Sequence, residues 1–509
     1  MMTLDKAIEE IPSLCLECGE QAASSIVERD GKVYQRTQCS RHGVAEHLIF
    51  SDSTLYRRLN AWNDLVFPAS DEAAERAPSG ATCDYGIHSV NPPALAVMDI
   101  TNRCNFHCPV CFAETDGQRG HYFLALEQVR EMLQSLVNRP VPCRRIQFSG
   151  GEPTLHPEFP RILGTARELG FTHVQVATNG SRFVNPDYTH LCEEAGLHTL
   201  YLQFDGVSDE AYLKLRGRRL LEQKIAIVEN ILKTNMRIVL VPTIASGINV
   251  DQIGPLFQFA LKYSKQITGI SFQPAALTGR VKIEEREREL FDLAMMAKEF
   301  GSQTGLTQFP DDWFPLNAVS MVTRALSRIR NEPVATPACD AHCSLGTYFY
   351  IDENNKPVCI TRFLDLDRLF RSLGDIVPST DRATLGQRIS QLKELNRLSD
   401  CFDKRQAPKA LTFERLLRGL DGWEDKSCGR AADWFRRGFN GMFVAGMHFM
   451  DFRTYNFRRV RRCIIQYVTT DGALIPFCSY NAGARYRTAE ELLREEYASP
   501  VAPNLALGV

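Results

Sequence analysis

Long hydrophobic runs are missing from this 509-residue chain. No uninterrupted apolar stretch approaches the roughly 18 residues of a membrane-spanning helix, so any lipid would have to be met from the membrane surface. An excess of charge of one sign is missing too. Against 61 Asp and Glu stand 59 Lys and Arg, and a net charge of −2 removes the electrostatic case for a nucleic-acid partner. The amino terminus lacks an export signal, since Asp5, Glu9 and Glu10 occupy the place of its apolar core. A cytoplasmic protein is therefore expected, with peripheral contact at a membrane left open. What is plentiful is cysteine. Sixteen of them, without a route to an oxidising compartment, read as metal ligands or reduced thiols and not as disulfides. The chain is also too long for one compact domain.

The most informative cysteines are Cys104, Cys108 and Cys111, in the run Asn102-Arg103-Cys104-Asn105-Phe106-His107-Cys108-Pro109-Val110-Cys111-Phe112-Ala113. A strand-like apolar segment, residues 95–100, precedes them and predicts a loop at a strand's carboxyl end. Three thiolates there can hold three irons of a [4Fe–4S] cubane and leave the fourth open to a ligand from outside the protein. The competing reading is structural zinc with His107 as fourth ligand. Against zinc stands Gly150-Gly151-Glu152-Pro153-Thr154, which follows a second strand-like run, residues 145–148, after a helical pattern over Leu126–Val137. Two glycines at a strand end let the backbone approach a ligand, and a carboxylate beside them can pair with an amino group.

Residues 1–60 contain Cys15-x-x-Cys18 and Cys39-x-x-His42 around a strand-turn-strand stretch that turns at Asp30-Gly31. This is the layout of a small ribbon folded about one tetrahedral metal, zinc or a mononuclear rubredoxin-type iron. Residues 61–93 read as a connecting segment. From residue 94 to about 310, strand-like runs at 95–100, 145–148, 173–177, 199–204, 238–243 and 269–273 alternate with helical periodicity. Six such units predict an α/β fold, a partial (β/α)6 TIM-like barrel whose site lies at the strand carboxyl ends. Thr178 and Asn179 close the third strand, and Gln203 and Asp205 the fourth. Each is either a ligand-binding side chain or simply a turn or cap. Residues 311–509 read as a carboxyl-terminal α+β domain in which Cys339, Cys343 and Cys359 are candidate ligands of an auxiliary cluster. Cys428, Cys463 or Cys478 would complete it, and plain buried thiols are the alternative. Cys143, Cys192 and Cys401 have no assigned role.

Cys-x3-Cys-x2-Cys with Phe106 and Phe112 beside it, followed by Gly-Gly-Glu-Pro, resembles the radical S-adenosylmethionine (SAM) superfamily over about residues 94–310. The resemblance implies that SAM chelates the open iron and is cleaved reductively to a 5′-deoxyadenosyl radical, which abstracts hydrogen from an unactivated C–H bond. It also implies a donor such as ferredoxin or flavodoxin. Gly150, Gly151, Glu152, Pro153, Thr178, Asn179, Gln203 and Asp205 would then bind SAM.

Gly446-Met447-His448-Phe449-Met450-Asp451, Tyr455-Asn456, Arg461-Arg462-Cys463-Ile464 and the run from Asp471 to Asn481 are similar to the archaeal tetraether lipid synthases, as is the amino-terminal metal site. That resemblance implies more than one cluster and coupling of lipid hydrocarbon chains. Methylation of a pterin-like small molecule is the alternative within the same group. In this frame, residues 442–450 would line a cavity for alkyl chains and Arg458, Arg459, Arg461 and Arg462 would meet anionic head groups; plain core and a solvated basic face are the simpler readings. The chain departs from the archaeal pattern at residues 80–88, where only Cys83 remains, so an amino-terminal auxiliary cluster is not expected. A third reading is an iron–sulfur electron-transfer or redox-sensing protein. Gly150-Gly151-Glu152 argues against it, because an electron carrier needs no pocket for an amino acid.

Overall fold

The computed structural model describes residues 6–15, 18, 20–67, 89, 91–113, 121–276, 278–280, 290–330, 336–352, 354–375, 398–409, 411–413, 416, 440–451 and 454–482. Cys83 and Cys428 lie outside them.

Strands β1 (Lys6–Leu14), β2 (Gln21–Arg29), β3 (Lys32–Cys39) and β4 (Gly43–Phe50) form an antiparallel meander. Asp30 and Gly31 join β2 to β3 with φ of 51° and 72°, two positive values as a type I′ turn demands. Helix α1 (Ser53–Val66) follows, capped by the Asp52 carboxylate on the Leu55 N–H at 2.9 Å. It buries Leu55, Leu59, Trp62 and Val66, which recur every three or four residues.

The barrel alternates as expected. Its first part is β5 (Leu95–Thr101), α2 (Leu126–Val137), β6 (Arg145–Gly150), α3 (Phe159–Glu168), β7 (His173–Thr178) and α4 (Pro186–Ala195). Its second part is β8 (Thr199–Gln203), α5 (Asp209–Arg216), α6 (Leu221–Ile231), β9 (Arg237–Val241), β10 (Thr243–Ile244), α7 (Ile253–Lys262) and β11 (Ile267–Pro274). Strands β5, β6, β7, β8, β9 and β11 pair in parallel in chain order.

Beyond β11 come α8 (Leu293–Thr304), β12 (Phe314–Pro315), α9 (Ser320–Arg330), β13 (Ser344–Ile351), β14 (Pro357–Cys359) and α10 (Leu366–Asp375). The described chain ends with β15 (Asn440–Met447), α11 (Phe457–Arg461), β16 (Ile465–Val468), β17 (Leu474–Pro476) and α12 (Phe477–Ala482). Two of these strands join the barrel. β15 pairs in parallel with β11, and β16 in parallel with β5. Eight parallel strands therefore run in the order β16-β5-β6-β7-β8-β9-β11-β15, open between the two ends. The six-strand reading thus gains one parallel strand at each edge, and the sheet continues antiparallel through β13 and β12 beyond β15 and through β17 beyond β16, because an unpaired edge leaves a row of peptide groups that the late strands satisfy.

Side-chain alternation separates the two faces of the sheet. Ala96, Met98 and Ile100 of β5 pack into the main core with Leu133, Ile146 and Phe148. Val97, one residue out of step, packs with Tyr467, Ile475 and Tyr480. No helix among the described residues is long and apolar enough to cross a membrane.

Candidate active site

The loop after β5 is pinned at its base. Thr101 donates its hydroxyl to the Tyr122 carbonyl at 2.6 Å, and Asn102 accepts from the Tyr122 N–H at 3.0 Å. The end of β6 lies directly against it, with the Gly151 N–H donating to the Thr101 carbonyl at 2.9 Å and that of Glu152 to Arg103 at 2.7 Å. This contact is what the glycines serve. A Cβ on Gly150, whose φ is +124°, would fall 2.0 Å from the Thr101 oxygen, and one on Gly151 would fall 2.1 Å from the Arg103 oxygen.

Cys104 and Cys108 pack against the cluster of Phe106, Tyr212 and Leu220. Burial pushes the Cys104 thiol up to about 12, with Glu152, Cys111 and Cys108 adding to it. Burial and Cys111 likewise raise Cys108, against the pull of Arg216. Cys104 and Cys108, which burial and the neighbouring Cys111 keep protonated in this way, are suited to a multiply charged metal centre that displaces their protons. Among the described residues, the one set of three or more metal-ligating side chains with every ligand atom within 4.8 Å of the others is in the ribbon. The cysteine trio, with or without His107, is not such a set, which argues against a single tetrahedral zinc there.

Glu152 is 1% exposed, and its carboxylate is a brace. One oxygen accepts from the Thr154 N–H at 3.2 Å and from the Thr154 and Thr178 hydroxyls at 2.6 and 2.7 Å; the other accepts from the Asn179 N–H at 2.7 Å. Burial raises its pKa, and these donors oppose the rise. Pro153 begins the single 3-10 turn that Glu152 caps. Asn179 has two partners of its own: its side-chain oxygen accepts from the Ser181 N–H at 2.9 Å, and its amide donates to Asn105 of the cysteine loop at 2.8 Å. Glu152→Ala would strand these donors in a buried site at about 1–3 kcal/mol each. The variant is expected to lose that stability in denaturant titration and to bind SAM about tenfold or more weakly, as the Asn179 turn loosens. Its iron content should match wild type; unchanged SAM affinity would confine Glu152 to folding.

Asp205 is fully buried and pairs with Arg216 through contacts of 2.7 and 2.8 Å. It also accepts from Gln203 and, at 3.0 Å, from the Thr243 N–H. Arg216 reaches on to the Val110 carbonyl at 2.8 Å, between Cys108 and Cys111. Burial works against its charge, but Asp205, Cys108 and Cys111 outweigh burial and hold its pKa above the usual value. Lys224 of α6 is also buried, donating to the Asn179 carbonyl at 2.6 Å and to Gln203 at 2.9 Å. Burial depresses its pKa to about 7. The sequence reading passed over Arg216 and Lys224. Lys224 did carry a signal, since it lies three residues after Leu221 and four before Val228, on the apolar stripe of its helix.

In the ribbon, the Cys15 and Cys39 sulfurs lie 3.5 and 3.6 Å from His42 Nδ1, and the Cys18 and Cys39 sulfurs 3.9 Å apart. The backbone N–H groups of Arg41 and His42 lower the Cys39 thiol to about 6. Three sulfurs and one imidazole converging on one point are a tetrahedral donor set.

The carboxyl-terminal cysteines regroup. Cys339 and Cys343 are hydrogen-bonded neighbours, Cys463 is acted on by Cys478 and Cys343, and Arg459 donates to the Cys343 sulfur at 3.7 Å. Cys339, Cys343, Cys463 and Cys478 are thus neighbours, with the buried Arg459 guanidinium beside Cys343 and Cys478. Cys359 is not among them. It pairs with Phe349, six residues along β13 from Cys343 and so about 20 Å away, and contacts the Thr347 and Thr361 hydroxyls at 3.3 and 3.2 Å. The hairpin that brings Cys359 close in sequence carries it away in space. Cys143, Cys192 and Cys401 lie in the main core with it. The arginines beside Cys463 do not form a solvated or lipid-facing patch: Arg458 pairs with Glu9 at 2.5 Å and Arg462 with Asp340 at 3.6 Å. Met442 and Val444 are likewise core residues and not the wall of an alkyl cavity.

Residues 98–260 match the family described as the Radical SAM superfamily, and residues 7–51 the HMPTM N-terminal zinc ribbon domain. The 7,8-dihydro-6-hydroxymethylpterin dimethyltransferase of Methanocaldococcus jannaschii is 31% identical over 484 residues, covering 94% of both chains. The GTP 3′,8-cyclase of Helicobacter pylori is 26% identical over 38% of this chain and 61% of its own. Among solved structures, Streptococcus suis SuiB bound to its precursor peptide SuiA covers 59% of this chain and 69% of its own, at 13% identity and a TM-score of 0.36. The likeness to tetraether lipid synthases is corrected to this extent: the relative matched along nearly the whole chain is named for a pterin, not a lipid. The chain is a radical SAM enzyme, with the [4Fe–4S] cluster and SAM that the superfamily uses, and over almost its full length it belongs to the family of the M. jannaschii protein.

Proposed function

We propose that this enzyme methylates a ring carbon of a reduced pterin-like compound. The observation that carries this reading is the polarity of the barrel's inner face. Gln175 donates to Gln147 at 2.6 Å, Tyr201 to Ser271 at 2.8 Å and Gln273 to Tyr201 at 3.2 Å. Such a lining offers a heterocycle hydrogen bonds, whereas a hydrocarbon chain would only desolvate it. The name of the M. jannaschii relative supports the same substrate class.

Cys104, Cys108 and Cys111 would hold the cluster, which with bound SAM supplies the radical that opens the reaction. Arg216 steadies the loop from the Val110 carbonyl, and Glu152, Asn179 and Lys224 fix the neighbouring strand ends where SAM would lie. A ferredoxin- or flavodoxin-type protein is the proposed electron source. Zinc is the proposed ribbon metal, held by Cys15, Cys18, Cys39 and His42. An auxiliary [4Fe–4S] cluster is assigned to Cys339, Cys343, Cys463 and Cys478. Accordingly, Cys463→Ala or Cys478→Ala is expected to remove one cluster's iron and sulfide, whereas Cys359→Ala leaves both unchanged. Equal losses in all three variants would reject this ligand set.

The function is tested by incubating the reconstituted enzyme anaerobically with SAM, a reductant and 7,8-dihydro-6-hydroxymethylpterin, then following the pterin by mass spectrometry. Gain of one or two methyl groups is expected. Formation of 5′-deoxyadenosine with the pterin unmodified would overturn the reading.

A further inference from the structure

We propose that Asp99 is the residue that selects the substrate ring, its carboxylate receiving the paired N–H donors of a 2-amino-4-oxopyrimidine edge beside a wall of stacked aromatic rings. The inference rests on the pterin reading above and assigns it a residue. Asp99 shares its face of β5 with Val97, which packs with Tyr467 and Tyr480, and it alternates with Met98 and Ile100 of the helix-facing core. It is 4% exposed, and the Tyr480 hydroxyl donates to it at 3.4 Å. In the sheet it lies opposite Ser149, one step below the pairing of Thr101 with Gly150, at the level where the glycine pair meets the cysteine loop.

The aromatic wall links that carboxylate to the cysteine loop. Tyr480 stacks on Tyr467 at 3.9 Å and 17°, Tyr467 on Phe477 at 5.3 Å and 28°, and Phe477 on Phe112 at 5.6 Å and 19°. Phe112 directly follows Cys111. The wall thus runs from the cluster loop at one end to the Tyr480–Asp99 contact at the other, and a substrate ring bound at Asp99 would lie beside it.

Charge points the same way. The other polar side chains on the strands' inner face toward their carboxyl ends are neutral, namely Gln147, Gln175, Tyr201, Gln203, Ser271 and Gln273, and the Asp205 carboxylate just beyond β8 is already paired with Arg216. Among the described residues, Asp99 is the one carboxylate on the inner face of the eight parallel strands. A pterin presents its ring N–H and exocyclic amino group side by side, as a guanidinium does, and a carboxylate accepts such a pair in two parallel charge-assisted bonds. A neutral amide offers one acceptor and one donor, so it cannot take both.

The test compares reconstituted wild type with Asp99→Asn and Asp99→Glu, using two probes: 7,8-dihydro-6-hydroxymethylpterin and its analogue lacking the 2-amino group. Wild type is expected to bind the pterin about tenfold or more tightly than the analogue, the worth of one charge-assisted bond. Asp99→Asn should lose about a hundredfold in pterin affinity and the preference with it; Asp99→Glu, which keeps the charge, should retain part of both. A structural role would not move this preference. Should Asp99→Asn fail to fold, the wild-type preference and the Asp99→Glu value still decide. Equal wild-type affinity for the two probes, or a preference that survives in Asp99→Asn, would overturn the inference while leaving pterin methylation standing. A wild-type enzyme that neither binds nor methylates the pterin would instead overturn the functional reading itself.

Discussion

Replacing Cys104, Cys108 and Cys111 together by Ala is expected to remove the iron and sulfide of one [4Fe–4S] cluster and to abolish 5′-deoxyadenosine formation. Each single replacement should do nearly the same. The three half-buried sulfurs act on one another, and no fourth cysteine stands in the loop to substitute for any of them. With two thiolates, a cubane would have a second iron without a protein ligand and would be lost or rearranged. The ribbon metal should stay bound, because its four ligands come from a separate sheet. Anaerobic iron and sulfide determination, with chromatographic detection of 5′-deoxyadenosine, checks both parts. Cleavage of SAM at the wild-type rate by the triple variant would refute the assignment.

Arg216→Met is expected to be the most destabilising single change in the barrel. It leaves the Asp205 carboxylate, fully buried and bonded through both oxygens, without its counter-charge. Breaking a buried pair from one side costs about 3–5 kcal/mol, since the remaining charge pays for desolvation without the Coulomb gain. The Val110 carbonyl loses a donor at the same time, so the cysteine loop should hold its cluster less firmly. Denaturant titration measures the first effect and cluster retention on dilution the second. Adding Asp205→Asn to Arg216→Met should recover much of the loss, because the stranded charge disappears. A loss below about 1 kcal/mol in the single variant would show that Gln203 and the Thr243 N–H suffice to hold Asp205.

Features set by short spacing were readable from the chain alone. The cysteine triplet, the glycine pair before Glu152, the two ribbon knuckles and the strand-helix alternation each depend on residues a few positions apart, where geometry follows directly from local spacing. The ribbon's four candidate ligands and the parallel barrel came from these, and the structure brings the four side chains together and pairs the strands in parallel. Even so, the glycines proved to make room for the loop's own carbonyls, a contact between two strand ends that no spacing within either one encodes.

Other features depend on which distant segments fold together. Arg216 meets Val110, Lys224 meets Asn179 and Gln203, and the late strands β15 and β16 take opposite edges of one sheet. Cys359 stands close to Cys343 in sequence, yet the hairpin separates them, while Cys463 and Cys478 arrive from more than a hundred residues away. The proposed substrate class rests on the same point, because the polar inner face on which the proposal is built is assembled from one or two residues on each strand. The sequence alone determined the initiation chemistry, since its ligands share one loop. Only the tertiary structure decided which residues surround that loop, because burial and long-range pairing belong to the closed sheet and not to any segment of it.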